Sequence, residues 1–223
     1  MNYLMQFLHS DSRKLKVTIR SLLLTFFMMA LYGVRIFYTN DYYYGMLLWN
    51  LFLAWLPFLF SYWAYTRYFS GGKHISAVLP GFLWLLFFPN APYIITDLIH
   101  LQERTGIPMW FDAALVFTFA FTGLILGLSS LYMIHRVLQN AFSVWKAWLM
   151  IMVIIAMSGY GIYIGRILRW NSWDLSTHPI PLINDVHDSI LTPASIAMIM
   201  IFSVLMGITY PFLFYFVQSA HKK

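Results

Sequence analysis

The stretch that decides the fold runs from Phe87 to Leu101 and reads FFPNAPYIITDLIHL. Pro89 and Pro92 interrupt an apolar run there, and a proline inside a helix removes a backbone hydrogen bond and costs roughly 3 kcal/mol. We therefore predict a break or sharp kink at residues 89–92. After it, polar side chains recur at spacings that place them on one helix face, namely Asn90, Tyr93, Asp97 and His100.

The composition places the chain in a membrane. Hydrophobic residues make up 61% and charged residues only 10%, whereas a soluble domain has about 25% charged residues. Several apolar runs of about 20 residues predict transmembrane helices. The net charge of +6 therefore indicates Lys and Arg retained on the cytoplasmic side rather than nucleic-acid binding. The absence of cysteine excludes disulfides, thiolate metal sites and cysteine nucleophiles.

Hydrophobic periodicity predicts a single all-α domain, an integral membrane bundle of six transmembrane helices. A basic leader precedes the first span, which lacks a small-residue cleavage site and is expected to remain uncleaved. The third span covers about 21 Å before its break at 1.5 Å per residue, less than the roughly 30 Å of a hydrocarbon core. It either kinks and continues to His100, or ends with residues 93–101 lying in the interface. The spans cover about residues 17–38, 43–65, 75–100, 110–134, 147–168 and 193–217.

The loop charges predict the orientation. One side holds nine Lys and Arg and the other holds only Arg104 and Arg169. By the positive-inside rule, both termini should be cytoplasmic, in the cell membrane, with the break and the 169–191 loop at the external face. The nine are Arg13, Lys14, Lys16, Arg67, Lys73, Arg136, Lys146, Lys222 and Lys223.

A second group of polar residues follows the fifth span, in residues 159–174. Two arginines, Arg166 and Arg169, stand there with Trp170 and Trp173, which suits an anion site because arginine binds phosphate and carboxylate in a bidentate manner. The alternative is interfacial anchoring, since Trp and Arg are enriched at the headgroup level. The small-residue pairs Gly123–Gly127 and Gly161–Gly165 predict that spans four and five pack tightly.

Two further charges, Arg35 and Asp112, lie near the external ends of their spans. Arg35 or Arg166 pairing with Asp112 or Asp97 would be a purely structural arrangement, because charges in membranes are usually paired. We expect instead that Arg166, Asp97 and Asp112 line one cavity. The full set of candidate ligand-binding residues is Arg35, Asn90, Tyr93, Asp97, His100, Asp112, Arg166, Arg169, Asn171 and Trp173.

A metal site is a weaker hypothesis. Asp97 and His100, three residues apart, with Asp112, would suit zinc, manganese or iron, with further ligands from Asp174 to Asp188. No catalytic or nucleotide-binding motif is present. Asn90 could alternatively cap the restarted helix, and His135 beside Arg136 is interpreted as a solvated helix end.

The quoted stretch, the WFD at 110–112, GLILGLSSLY and GIYIGRILRWNSWD together resemble a numbered family of bacterial membrane proteins, domain of unknown function thirteen sixty-one. The resemblance covers most of residues 20–218, and the motifs show no departure from the family pattern. It implies a bacterial polytopic membrane protein and assigns no role to any residue.

Three function classes follow. The favoured one is a binding or carrier protein for an anionic lipid headgroup, an envelope phosphate or a small acid. The alternatives are a metal-dependent enzyme acting on an envelope component and a structural or accessory membrane subunit. The anion-binding class is favoured because arginines at the external face outnumber plausible metal ligands within the membrane.

Overall fold

The computed structural model describes residues 3–70 and 74–219. All regular elements within those residues are helical, and six helical segments are long and apolar enough to cross a membrane. The predicted all-α bundle with six transmembrane helices is confirmed. The helices are α1 (Tyr3–Thr39), α2 (Gly45–Phe69), α3 (Val78–Phe87), α4 (Asn90–Tyr93), α5 (Met109–Ala141), α6 (Val144–Arg166), α7 (Asp174–Thr177), α8 (Pro179–Ser189) and α9 (Pro193–Ser219).

The third span is broken where the prolines predict. A short 3₁₀ helix, His74–Ala77, leads into α3, which ends at Phe87. A two-residue turn at Phe88 and Pro89 then leads into α4, which has four residues. The chain continues as the 3₁₀ helix Ile94–His100, and Ile75–His100 as a whole forms one candidate span of 26 residues. The tighter 3₁₀ winding places side chains three residues apart directly above one another.

Two apolar cores hold the bundle together. One joins α1, α2, α5 and the residues after the break, with Met28, Leu47, Ile94 and Phe119 fully buried. The other joins α3, α5, α6 and α9 around residues such as Trp84, Leu131, Ile151 and Met206. Because lipid tails are as apolar as these side chains, close van der Waals packing rather than burial from water holds such helices together.

The glycine pairs serve the break rather than a contact between spans four and five. A methyl group added at Gly123 in α5 would lie 2.7 Å from the carbonyl oxygen of Ala91, and one at Gly161 in α6 would lie 2.6 Å from Pro89 Cγ. The nearest neighbours of the remaining two glycines, Gly127 and Gly165, also belong to residues 91–93. Close packing at these glycines is present as predicted, but the segment that they approach is residues 89–93 of the break. α5 and α6 meet each other elsewhere, through residues such as Leu131 and Ile151.

The interpretation of His135 as a solvated helix end was also wrong. α5 continues six residues beyond it to Ala141, and His135 is fully buried. Its Nδ1 lies 2.7 Å from the hydroxyl of Tyr210 in α9. The rings of Trp148 and Phe214 pack against the imidazole, with ring centres 4.5 and 4.6 Å from its centre.

Most of the candidate residues lie at one end of the bundle. There α1 and α6 end, α2 and α5 begin, and the 3₁₀ helix Ile94–His100 stops. We refer to it as the site end. Of the residues used in the charge count, Lys73, Lys222 and Lys223 lie outside the described part of the chain.

Candidate functional site

The first charged cluster joins the broken span to α6. Arg166, the last residue of α6, donates from Nη2 to Asp97 Oδ1 at 2.9 Å, and its Nη1 lies 3.2 Å from His100 Nε2. The 3₁₀ winding makes this possible, since it aligns Asp97 and His100 on one face. The amide of Asn50 in α2 donates to the other carboxylate oxygen of Asp97 at 2.7 Å. We call these four residues the Arg166 cluster.

Asp97 is fully buried, and both of its carboxylate oxygens accept hydrogen bonds. A buried carboxylate is tolerated only when it is paired and its remaining lone pairs are satisfied, and Arg166 and Asn50 meet both conditions. Arg166 itself remains 17% exposed. Its guanidinium lies 5.0 Å from the centre of the Tyr93 ring, and its Nε is buried without a partner among the described residues. The cluster is therefore buried at Asp97 and open at Arg166.

Asn50 was not among the predicted site residues. It is a lone amide in the apolar second span, and an amide at membrane depth needs an internal partner. That feature could have identified it, although the sequence gives no indication that its partner is Asp97.

The second charged cluster joins α1 to the start of α5. Arg35 donates from Nε to Asp112 Oδ1 at 2.8 Å and from Nη2 to Asp112 Oδ2 at 3.3 Å. The guanidinium also bonds the carbonyl and the carboxylate of Asp41 at 2.9 and 3.3 Å. Arg104 reaches the same carboxylate at 3.0 Å. These residues form the Arg35 cluster, in which two arginines face two aspartates.

Asp41, in the loop between α1 and α2, ionises more readily than an ordinary aspartate. Burial would raise the pKa of its carboxyl, but the backbone amide of Tyr43 and the guanidinium groups of Arg35 and Arg104 outweigh that effect and hold the pKa below its usual value. A shallow groove of about 430 Å³ lies here, lined by Asp41, Arg104 and their loop neighbours.

Tyr44 stands between the two clusters. Its ring lies 4.6 Å from the Arg35 guanidinium, and its hydroxyl donates to the carbonyl oxygen of His100 at 3.4 Å. The expected single cavity shared by Arg166, Asp97 and Asp112 is not supported, because both oxygens of Asp112 are bonded to Arg35. Arg35 pairs with Asp112 and Arg166 pairs with Asp97, which is the arrangement of purely structural ion pairs given above as the alternative.

The metal hypothesis gains no support from the geometry. No group of three or more His, Asp or Glu side chains that could hold a metal ion occurs among the described side chains, residues 15–70 and 75–219. Asp97 and His100 are neighbours, but Asp112 belongs to the other cluster.

Asn90 links the break to the loop after α6. Its amide donates to the carbonyl of Phe87 at 2.9 Å and to the hydroxyl of Ser172 at 3.2 Å, and that hydroxyl donates to the carbonyl of Leu86 at 3.3 Å. Asn90 is the first residue of α4, and no side chain caps that helix. The capping alternative is therefore wrong, and Asn90 instead bonds a carbonyl left free by the break.

The remaining candidates lie in the loop at residues 167–174. Arg169 is exposed, adopts a left-handed backbone with φ of 63° and forms no ion pair with any described residue. Asn171 bonds Asp174 through its backbone amide at 2.7 Å, and this bond lowers the pKa of the Asp174 carboxyl. Trp173 packs edge-on against Trp49 of α2, with ring centres 6.1 Å apart.

Sequence comparison places the chain in a family. The family described as "Protein of unknown function (DUF1361)" matches residues 49–209. The chain belongs to this family. The DUF1361 match includes the whole Arg166 cluster and the 167–174 loop, whereas Arg35 and Asp41 lie before it. No curated protein and no solved structure matches the chain.

Proposed function

We propose that this membrane protein binds an anionic group at its site end, with Arg169 and Arg166 as the cations. The observation that supports this is the charge balance. Arg35 and Arg104 face two aspartates, and Arg166 faces one, but Arg169 has no acidic partner in the described chain. An anion that binds there would supply the missing negative charge.

A lipid phosphate is the anion that the position favours. Arg169 lies three residues beyond the end of the membrane-spanning helix α6. Trp173, four residues later, packs against Trp49 of α2, and both tryptophans are exposed. Tryptophan is enriched at the headgroup level of bilayers, and arginine presents a donor pair that fits a phosphate. An envelope phosphate or a small acid offers the same chemistry without the acyl chains.

The Arg166 cluster would orient this site rather than supply its net charge. Asp97 neutralises Arg166, while Asn50 and His100 hold the pair in place. Arg166 can contact a ligand through the exposed 17% of its side chain, although its Nε is itself buried.

The second candidate is a structural membrane subunit without a ligand. The observation in its favour is that Arg35, Arg104 and Arg166 are all paired with aspartates. Under this alternative, Arg169 and the tryptophans only anchor the bundle at the interface. The metal-dependent enzyme remains a third hypothesis, with no supporting cluster among the described residues.

Native mass spectrometry of the detergent-solubilised protein with phosphatidylglycerol and with phosphatidylcholine separates the first two candidates. We expect tighter binding of the anionic lipid, reduced several-fold by Arg169→Gln and unchanged by Arg67→Gln, an exposed arginine at the opposite end of the bundle. Competition by free glycerol phosphate would indicate that the headgroup alone is recognised. Equal binding of the two lipids, or equal loss in both variants, would contradict the proposal.

We also propose that the site end faces outside and that both termini are cytoplasmic, on the basis of the nine-to-two charge asymmetry. A reporter that is active only in the cytoplasm should work when fused after Lys223 and fail when inserted within residues 177–188. The reverse pattern would place the arginines on the cytoplasmic side.

A further inference from the structure

The helix α8, between the fifth and sixth spans, has an apolar flank that no described part of the chain covers. Ile180 and Ile183 are 72% and 58% exposed, and Leu191, just after the helix, is 80% exposed. Its opposite side contacts protein, since Ser189 is buried and Leu182 and Val186 are half-buried. Asn184 and Asp188 form a polar flank beside the apolar one. His187, 87% exposed, lies between Ile180 and Ile183 on the helix surface, so the apolar flank contains one polar side chain.

The depth of α8 follows from its contacts with α6. The hydroxyl of Tyr160 donates to the carbonyl of Val186 at 2.6 Å and lies 3.0 Å from Ser189 Oγ. Tyr160 precedes Arg166, the last residue of α6, by six positions, which is about 9 Å along the axis at 1.5 Å per residue. Helical side chains also point towards the helix N-terminus, away from the site end. The C-terminal half of α8 therefore lies beside the last turns of a membrane-spanning helix, not beyond its end.

A second tether keeps α8 at this level. The indole of Trp170 donates to Asp185 at 2.8 Å, and the hydroxyl of Thr192 lies 3.3 Å from that of Tyr163 in α6. The sixth span, α9, begins at Pro193, so the exposed apolar flank is continuous with a surface that faces lipid.

We propose that α8 is an interfacial helix, with Ile180, Ile183 and Leu191 inserted at the boundary between lipid headgroups and acyl chains. The helix has an apolar and a polar flank and the right depth for this position. From Pro179 to Ser189 it contains Asp185 and Asp188 but no Lys or Arg. Apolar burial rather than attraction to anionic lipid therefore holds it, and its depth should not depend on lipid charge. This proposal does not rest on the proposed function.

Spin labelling tests the proposal directly, because the natural chain contains no cysteine. Ile183→Cys and Asp188→Cys place one nitroxide on each flank, about 140° apart at 3.6 residues per turn. Ile208→Cys, on the exposed face of α9, provides the bilayer reference. The labelled proteins are reconstituted in phosphatidylcholine nanodiscs, and collision rates are measured with oxygen, which concentrates in the bilayer, and with a water-soluble nickel chelate.

We expect the oxygen-to-nickel ratio at residue 183 to exceed that at residue 188 several-fold and to approach the value at residue 208. The ratio at residue 183 should stay the same when phosphatidylglycerol is added. A label at 183 as accessible to nickel as the label at 188 would overturn the proposal. Shielding of that label from both reagents would indicate a protein partner on this flank and would overturn it as well.

Discussion

The two charged clusters at the site end are each built on a pair of one arginine and one buried aspartate, but they differ in how far water reaches that pair. In the Arg35 cluster the central pair is sealed, with Arg35 at 0% and Asp112 at 1% exposure. In the Arg166 cluster the carboxylate is equally buried, but the arginine is 17% exposed and the unpaired Arg169 follows three residues later. The sealed pair fastens α1 to α5, whereas the open pair leaves a cation at a surface where a ligand can reach it.

Breaking the sealed pair should have the largest effect. Arg35→Met leaves Asp112 buried without its partner, which we expect to cost about 3–5 kcal/mol of stability. Thermal unfolding in detergent measures the loss, with Arg67→Met as the control. The double variant Arg35→Met with Asp112→Leu should recover most of it, since it removes both charges. A single variant as stable as the control would show that the pair does not fasten α1.

The second-largest loss of stability should come from adding a methyl group where α6 meets the break. Gly161→Ala places a methyl group 2.6 Å from Pro89 Cγ, and such overpacking should cost about 1–3 kcal/mol. Gly81→Ala is the matched control, because a methyl group there meets nothing within 4 Å and alanine is the better helix former. Equal unfolding temperatures for the two variants would contradict the close approach of α6 to the break.

Removing the carboxylate of the open pair should cost less than removing that of the sealed pair. Asp97→Asn deprives Arg166 of a charged hydrogen bond worth about 1.5–3 kcal/mol, but water can partly replace it. In Asp112→Asn, Arg35 keeps Asp41 as a carboxylate partner at 3.3 Å, but water cannot replace the lost bond, since Arg35 is fully buried. Thermal unfolding should therefore rank Asp112→Asn as the less stable variant, and the opposite ranking would refute the comparison.

The smallest expected effect is a pH dependence from Asp41 at the rim of the sealed cluster. Its pKa is lowered in the folded protein, so it contributes stability above its unfolded pKa of about 3.9. That contribution is lost as the pH falls through the lower folded pKa. The difference in Tm between the natural chain and Asp41→Asn should shrink as the pH is lowered from 6 to 3. A difference that stays constant would show that Asp41 is not stabilised by its arginines.

The six spans and the break could be predicted because both are local. A continuous apolar run must be helical in lipid, and Pro89 and Pro92, three residues apart, each remove a backbone hydrogen bond from the same part of the span. The single prolines Pro57 and Pro211 lie inside continuous helices. The approach of Asp97 and His100 to Arg166 could be anticipated from their common depth.

The partners of the other charges could not be predicted, because they depend on how the helices are arranged. Arg35 and Asp112 are 77 residues apart, and equal depth fits either aspartate with either arginine. His135 was misplaced because α5 extends a further six residues. The imidazole is buried by Trp148 of α6 and by Tyr210 and Phe214 of α9, and the position of α9 depends on the tertiary arrangement. The glycine pairs indicate a close approach but not which segment approaches.

The central claim is that Arg166 is accessible to an anion while Arg35 is not, and one matched pair of variants tests it. Asp97→Asn and Asp112→Asn each remove one buried carboxylate from an arginine by the same chemical change, and Arg35 keeps Asp41 as a second partner. Native mass spectrometry should show several-fold stronger binding of phosphatidylglycerol, relative to phosphatidylcholine, in Asp97→Asn and no change in folded Asp112→Asn. Unchanged lipid selectivity in both variants, or an equal increase in both, would contradict the account.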